Sequence, residues 1–268
     1  MSDAARSATA PPLFFLSNPP GAGAPTLLEE ELEHVRVLRL AAGDRCIGLD
    51  GQGHAWPLRI ERIEGRRIEL APVPEEPLSD PEPGTEGSSL PWIELAIAWP
   101  RKNRCEGMIG SLVQLGAAAI LPLEARFRGP EPCPAEPPER WAKIAREACK
   151  QSGRTWLPRF ERKHTPEEAC LRPKGALALL DPQGGMSFDT WLRSLLPAPI
   201  GIGSKERPIA IVIGPEGGFS PSEREAFLAA GASPVRLGPH VLRIETAAVA
   251  AMAVAATLLA RPLRSDRS

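Results

Sequence analysis

The sequence predicts an α/β protein in two parts: a small β-rich domain over residues 13–73 and a larger domain over 91–264 with a mainly parallel sheet. Three observations carry this. Short apolar and alternating runs, separated by turn signals, fill the first part. Residues 74–90 are rich in Pro, Glu, Gly and Ser and carry no apolar period, so they read as a linker. Beyond them, strand-like and helix-like runs alternate, as expected for a parallel sheet covered by helices. With 268 residues, 43% of them hydrophobic, the chain can bury a core in each part.

In the first part, 13–16 is a short apolar run and 32–38 reads as strand-like before the turn at 41–44. The run 45–49 enters Asp50-Gly51-Gln52-Gly53, a hairpin signal, and 56–63 and 67–70 alternate apolar and polar residues. A small antiparallel sheet or barrel follows from this. In the second part the expected strands are 92–98, 118–121, 176–180, 209–213 and 234–237. The expected helices are 106–115, ended by Gly116, and 139–151, ended by Ser152-Gly153, with a third over the Ala-rich run 246–260. That last run is too short and too rich in alanine to span a bilayer and reads as a buried helix. Residues 1–12, small, polar and proline-containing, read as disordered.

Net charge is −1, without the overall basic excess common in nucleic-acid binders. The charge is uneven, however. Acids crowd the first third, whereas Arg101, Lys102, Arg104, Arg126, Arg128, Lys143, Arg146, Lys150 and Arg154 fall in the middle. Lys143, Arg146, Lys150 and Arg154, spaced by three and four, share one side of a helix and its end, where they can grip phosphates or form a solvated face. Arg36 and Arg39 are similarly open to both readings. The five cysteines lack the spacing of zinc ligands or a redox pair, the four histidines are isolated, and no metal site is expected. No secretory leader is evident, and reduced thiols point to a cytoplasmic protein.

The richest segment is 209–223. A buried strand runs into Gly214-Pro215-Glu216-Gly217-Gly218, and a helix then begins with Ser220 as N-cap, Pro221 at its first position and Glu223 closing a capping box; Gly231 ends it. A second unit follows, with a strand entering Gly238-Pro239-His240-Val241-Leu242-Arg243-Ile244-Glu245-Thr246. Neither loop fits the phosphate-binding GxxxxGK[ST] pattern or the dinucleotide GxGxxG pattern. Two glycine loops after parallel strands can meet at one end of a sheet and enclose a ligand, although each alone is equally a tight turn.

Ile213-Gly-Pro-Glu-Gly-Gly-Phe-Ser220, followed by Leu237-Gly-Pro-His-Val-Leu-Arg-Ile-Glu-Thr-Ala247, resembles the paired motif of the 16S ribosomal RNA uridine-N3 methyltransferase (RsmE) family, within the SPOUT superfamily. Lys102-Asn103-Arg104, Gln114-Leu115-Gly116 and the stretch from Glu147 to Gln151-Ser152-Gly153-Arg154 resemble upstream segments of that family. His34 to Arg39, Gly43-Asp44 and Asp50-Gly51 resemble its N-terminal PUA-like RNA-binding domain. The chain departs from the family pattern at Gln114, His240 and Ile244, where glutamate, arginine and threonine are usual, and at its first strand, where Pro12-Leu-Phe-Phe15 carries no arginine.

The resemblance implies a C-terminal trefoil knot, a homodimer and an rRNA methyltransferase using S-adenosyl-L-methionine. It places the cofactor against Leu180, Ile213, Gly214, Gly218, Leu237, Gly238, Val241 and Leu242. Arg243 is the candidate cation for a uridine anion, or the partner of Glu245. Glu216 is the candidate base or cofactor ligand, or a cap, and Thr246 reads as a helix cap. Ribosomal RNA would be held by Arg36, Arg39, Lys102, Arg104, Lys143, Arg146, Lys150 and Arg154. An RNA-binding assembly factor of low or no activity on the same fold, or a small-molecule enzyme using the same loops, are the alternatives.

Overall fold

The computed structural model describes residues 10–100, 102–127, 132–196 and 202–260, with the side chains of Lys102 and Asn103 left out. Expectations about residues 1–9, Arg101, Arg128, the Lys102 side chain and the domain end beyond Ala260 lie outside the described residues. Met1–Asp80 and Pro81–Ser268 form two compact units.

The first unit contains β1 (Leu13–Asn18), β2 (Thr26–Leu27), α1 (Glu31–Val37), β3 (Arg45–Leu49), β4 (His54–Glu64), β5 (Arg67–Pro72) and β6 (Leu78–Ser79). They form one barrel-like sheet in the order β2-β1-β3-β4-β5, with β6 on β4. The β1–β3 pair is parallel and the others antiparallel. The β3–β4 hairpin forms at the expected turn, where the Asp50 carboxylate accepts the N–H groups of Gln52 at 2.7 Å and His54 at 3.2 Å. Phe14, Val35, Leu58 and Ile60, each at most 1% exposed, fill the core.

Two expectations change here. The run 32–38 is helix rather than strand: its apolar residues fit either period, and long-range contacts decide between them. The Glu31 carboxylate turns inward to accept the N–H of Phe15 at 3.1 Å, which seats Leu32 and Val35, one turn apart, against the Phe14 core. Within the stretch read as linker, Leu78–Ser79 pairs with His54 and Ala55. Gly84 N–H donates to Leu90 at 2.8 Å, closing a turn in the second unit. Backbone bonding of this kind leaves no apolar period in the sequence.

The second unit contains β7 (Ile93–Ala98), α2 (Lys102–Gln114), β8 (Ala119–Leu123), α3 (Glu139–Ser152), β9 (Arg159–Phe160), α4 (Pro166–Cys170), β10 (Ala176–Leu180), β11 (Met186–Ser187), α5 (Phe188–Ser194), β12 (Ile209–Ile213), α6 (Pro221–Ala229), β13 (Ser233–Arg236) and α7 (Ile244–Leu259). Its sheet runs β11-β13-β10-β12-β7-β8-β9, and every pairing is parallel. Strands β7, β8 and β12 are buried along their whole length, as unbroken apolar runs require in a sheet covered on both faces. The short helices α4 and α5 escape sequence reading because five and seven residues display too little of a helical period. In α7, Ala248, Ala251, Met252 and Ala255 are fully buried, and the helix packs on α2 and α5. No helix among the described residues is long and apolar enough to cross a membrane.

Candidate active site

Strands β13, β10 and β12 are neighbours in the parallel sheet, so the loops at their C-terminal ends converge. The loop after β12 is rigidly built. Gly218 N–H donates to Pro215 at 2.8 Å with φ at 74°, a left-handed conformation that suits glycine. The expected capping box is present: Ser220 Oγ accepts the Glu223 N–H while Glu223 Oε2 accepts the Ser220 N–H at 2.7 Å. The loop after β10 is tied to β13 by Asp181 N–H donating to Val235 at 2.9 Å. The Asp181 carboxylate also accepts from Arg224 of α6 at 2.9 Å, joining two of the three loops.

A cavity of about 380 Å³ lies among these loops. Leu180, Ile213, Gly214, Gly218, Leu237, Gly238, Val241 and Leu242 all line it, and so do Glu216 and His240. A Cβ on Gly214 would stand 2.9 Å from the Phe219 ring. The wall therefore requires bare backbone there, and it exposes peptide edges beside apolar side chains. Such a wall fits a flat base and ribose held mainly by main-chain groups, as S-adenosylmethionine presents. Sequence reasoning missed Asp181, Phe219 and Arg236, which also line the cavity. The signal for Asp181 was present, because Asp181-Pro-Gln-Gly-Gly185 repeats the pattern of a strand running into a glycine loop.

Glu216 is 64% exposed and pairs with Arg104 at 3.6 Å; Glu245 pairs with the same guanidinium at 3.5 Å. Arg243 therefore does not have Glu245 as its partner. It is the N-cap residue of α7, is exposed, and makes no side-chain hydrogen bond or ion pair among the described residues. Thr246 lies inside the first turn of α7 rather than capping it.

The basic residues separate. The side chain of Arg154 is turned inward, its guanidinium donating to the carbonyls of Val113 and Ala117 at 2.8 Å each. It terminates α2 and cannot also grip phosphate. The Lys150 side chain is only 6% exposed and pairs with Glu147 at 2.8 Å. Lys143 is exposed and Arg146 half-buried, so the α3 face offers fewer cations than its spacing promised. In the first unit, Arg36 donates to Gly65 O at 2.9 Å, and Arg39 is exposed with a left-handed φ of 54°. His34 meets Phe14 edge-on and pairs with Glu31 at 3.5 Å.

The second unit thus has a parallel sheet whose loops border a cavity, and the chain carries a separate β-rich unit ahead of it in sequence. Residues 88–256 match the RNA methyltransferase domain family and residues 27–73 the RNA methyltransferase PUA domain family. Ribosomal RNA small subunit methyltransferase E of Synechocystis is 33% identical over 87% of this chain and 73% of its own, and that of Bacillus subtilis is 28% identical over 83% and 86%. The crystal structure of the Neisseria gonorrhoeae enzyme of the same name, bound to S-adenosyl methionine, superposes with a TM-score of 0.72 at 26% identity, over 93% of this chain and 98% of its own. The chain belongs to the ribosomal RNA small subunit methyltransferase E family.

Proposed function

We propose that this protein methylates N3 of a uridine in 16S ribosomal RNA, with S-adenosylmethionine as the donor. The observation that carries the proposal is the cavity walled by Leu180, Ile213, Gly214, Gly218, Leu237, Gly238, Val241 and Leu242; Arg243 is not itself among the lining residues but follows Leu242 and precedes Ile244, which are. When bound, the cofactor supplies an electrophilic methyl group.

The remaining work falls to the chain. The three loops hold the acceptor in line and exclude water, which supplies much of the acceleration in a displacement. Arg243, which has no side-chain partner among the described residues, stabilises the negative charge that uridine acquires as N3 loses its proton. Glu216, exposed at the cavity, accepts that proton or orients the donor. Lys143, Arg146, Lys102, Arg36 and Arg39 contact phosphate; Arg154 and Lys150 are left out of that role.

The family resemblance further supports a homodimer, a cytoplasmic location at the ribosome and a trefoil knot through the loops after β12 and β13. The strand order β13-β10-β12 agrees with such a path. Residues 13–73 serve as the RNA-binding domain and 91–264 as the catalytic domain.

The test is transfer of tritiated methyl to small ribosomal subunits lacking the modification, with the nucleotide mapped by mass spectrometry. Label at N3 of one uridine, lost in Arg243→Ala, is the expected result. Cofactor binding without transfer to any form of the RNA would instead favour the assembly-factor reading.

A further inference from the structure

We propose that Arg104 is a positioning residue, one guanidinium holding two walls of the cavity in place through Glu216 and Glu245. Three elements meet on it: the first turn of α2, the loop after β12 and the first turn of α7. Nη1 lies 3.6 Å from Glu216 and 3.5 Å from Glu245. Glu216 itself lines the cavity, and Ile244 and Ala247, on either side of Glu245 in sequence, line it too.

The burial is graded: Glu216 is 64% exposed, Arg104 29% and Glu245 20%. Water screens the outer carboxylate and serves the inner one poorly. Oε2 of Glu245 is buried without a hydrogen-bond partner, so Arg104 at Oε1 is the cation that compensates it among the described residues. Without that cation, two carboxylates that share one small space repel, and the inner one is left desolvated and uncompensated. The least costly relief is movement of the glycine loop away from α7, which opens the cavity. Both contacts fall on the single Nη1, so the guanidinium acts as one positive charge shared between the two carboxylates, a role an ammonium can fill in part.

This inference rests on the cavity being the cofactor site. Arg104→Ala, Arg104→Lys and Glu245→Gln full-length proteins test it by calorimetric titration with S-adenosylmethionine, together with KM for the RNA. A double-mutant cycle of Arg104→Ala with Glu216→Ala, read by thermal unfolding without cofactor, measures the bridge independently. Expected are cofactor binding weakened about tenfold in Arg104→Ala, partial recovery in Arg104→Lys, an unchanged RNA KM and non-additive unfolding midpoints. If Arg104→Ala does not fold, Arg104→Lys and Glu245→Gln carry the same test. Unchanged cofactor affinity with a raised RNA KM would overturn the inference and make Arg104 a phosphate contact. Additive unfolding midpoints would overturn it as well. A wild type that binds no cofactor yet shows coupling in the unfolding cycle would refute the site assignment and leave the bridge standing.

Discussion

The carboxylate of Glu223 accepts the backbone N–H of Arg126 at 2.7 Å, across 97 residues of chain. Its other oxygen accepts the N–H of Ser220, and the residue is only 5% exposed. One side chain thus caps α6, fixes the end of the glycine loop and anchors the segment after β8. Glu223→Ala leaves two donors without their acceptor. It is expected to cost about 2–3 kcal/mol, a fall of roughly 4–12 °C in the unfolding midpoint. Differential scanning calorimetry checks this, and a fall of less than a degree would refute it.

Arg154 and Lys143 were alike in sequence and should now part. Arg154→Lys keeps the charge but cannot span the carbonyls of Val113 and Ala117 as a planar fork does. Urea unfolding should show a loss of about 1–2 kcal/mol, with the RNA affinity of the folded protein little changed. Lys143→Ala should leave stability alone, weaken RNA binding, and reduce the salt slope by about one. Equal effects of the two substitutions on the salt slope would refute the division.

The glycine loop should reject side chains in two distinguishable ways. At Gly214 the obstacle is the Phe219 ring, 2.9 Å from an added Cβ, so Gly214→Ala should displace the ring and weaken S-adenosylmethionine binding about tenfold. At Gly218 no atom stands within 4 Å, but φ is 74°, so Gly218→Ala should cost about 1–2 kcal/mol of stability through backbone strain. Paired calorimetric titrations and melting curves separate the two.

Arg243→Ala removes a cation that has no structural partner among the described residues. Methyl transfer should fall about a hundredfold or more, while cofactor affinity and the unfolding midpoint stay where they were. Raising the pH should recover part of the rate, because uridine then loses its N3 proton without help. A midpoint drop equal to that of Glu223→Ala would mark Arg243 as structural instead.

Burial pushes the thiols of Cys46 and Cys105 up to about 12, and that of Cys149 up to about 11, from an ordinary 9.0. A raised pKa favours the protonated native form. Its stabilisation is complete below pH 9 and is lost as the pH rises from there through 11 to 12. Urea midpoints should fall across that window, and less steeply in a variant with all three cysteines changed to alanine. Identical slopes would refute the assignment.

The sequence by itself determined the buried strands, the long helices and the α6 cap. Ile209–Ile213 is an unbroken apolar run, and Ser220, Pro221 and Glu223 each carry a local physical role, so neighbours in the chain suffice to define them. It also contained the cavity wall, because bare glycines after parallel strands are a backbone requirement written in residue type. Only the tertiary structure decided the fate of the charges. Lys143 and Arg154 share a helical spacing, yet one faces water and the other meets carbonyls from the end of α2. Arg104 lies far from Glu216 and Glu245 in sequence and within 4 Å of both in space. Spacing along a helix fixes direction around its axis. What a side chain meets in that direction depends on segments distant in sequence, Val113 and Ala117 for Arg154 and Glu216 and Glu245 for Arg104, and the energy of a charge is set by that encounter.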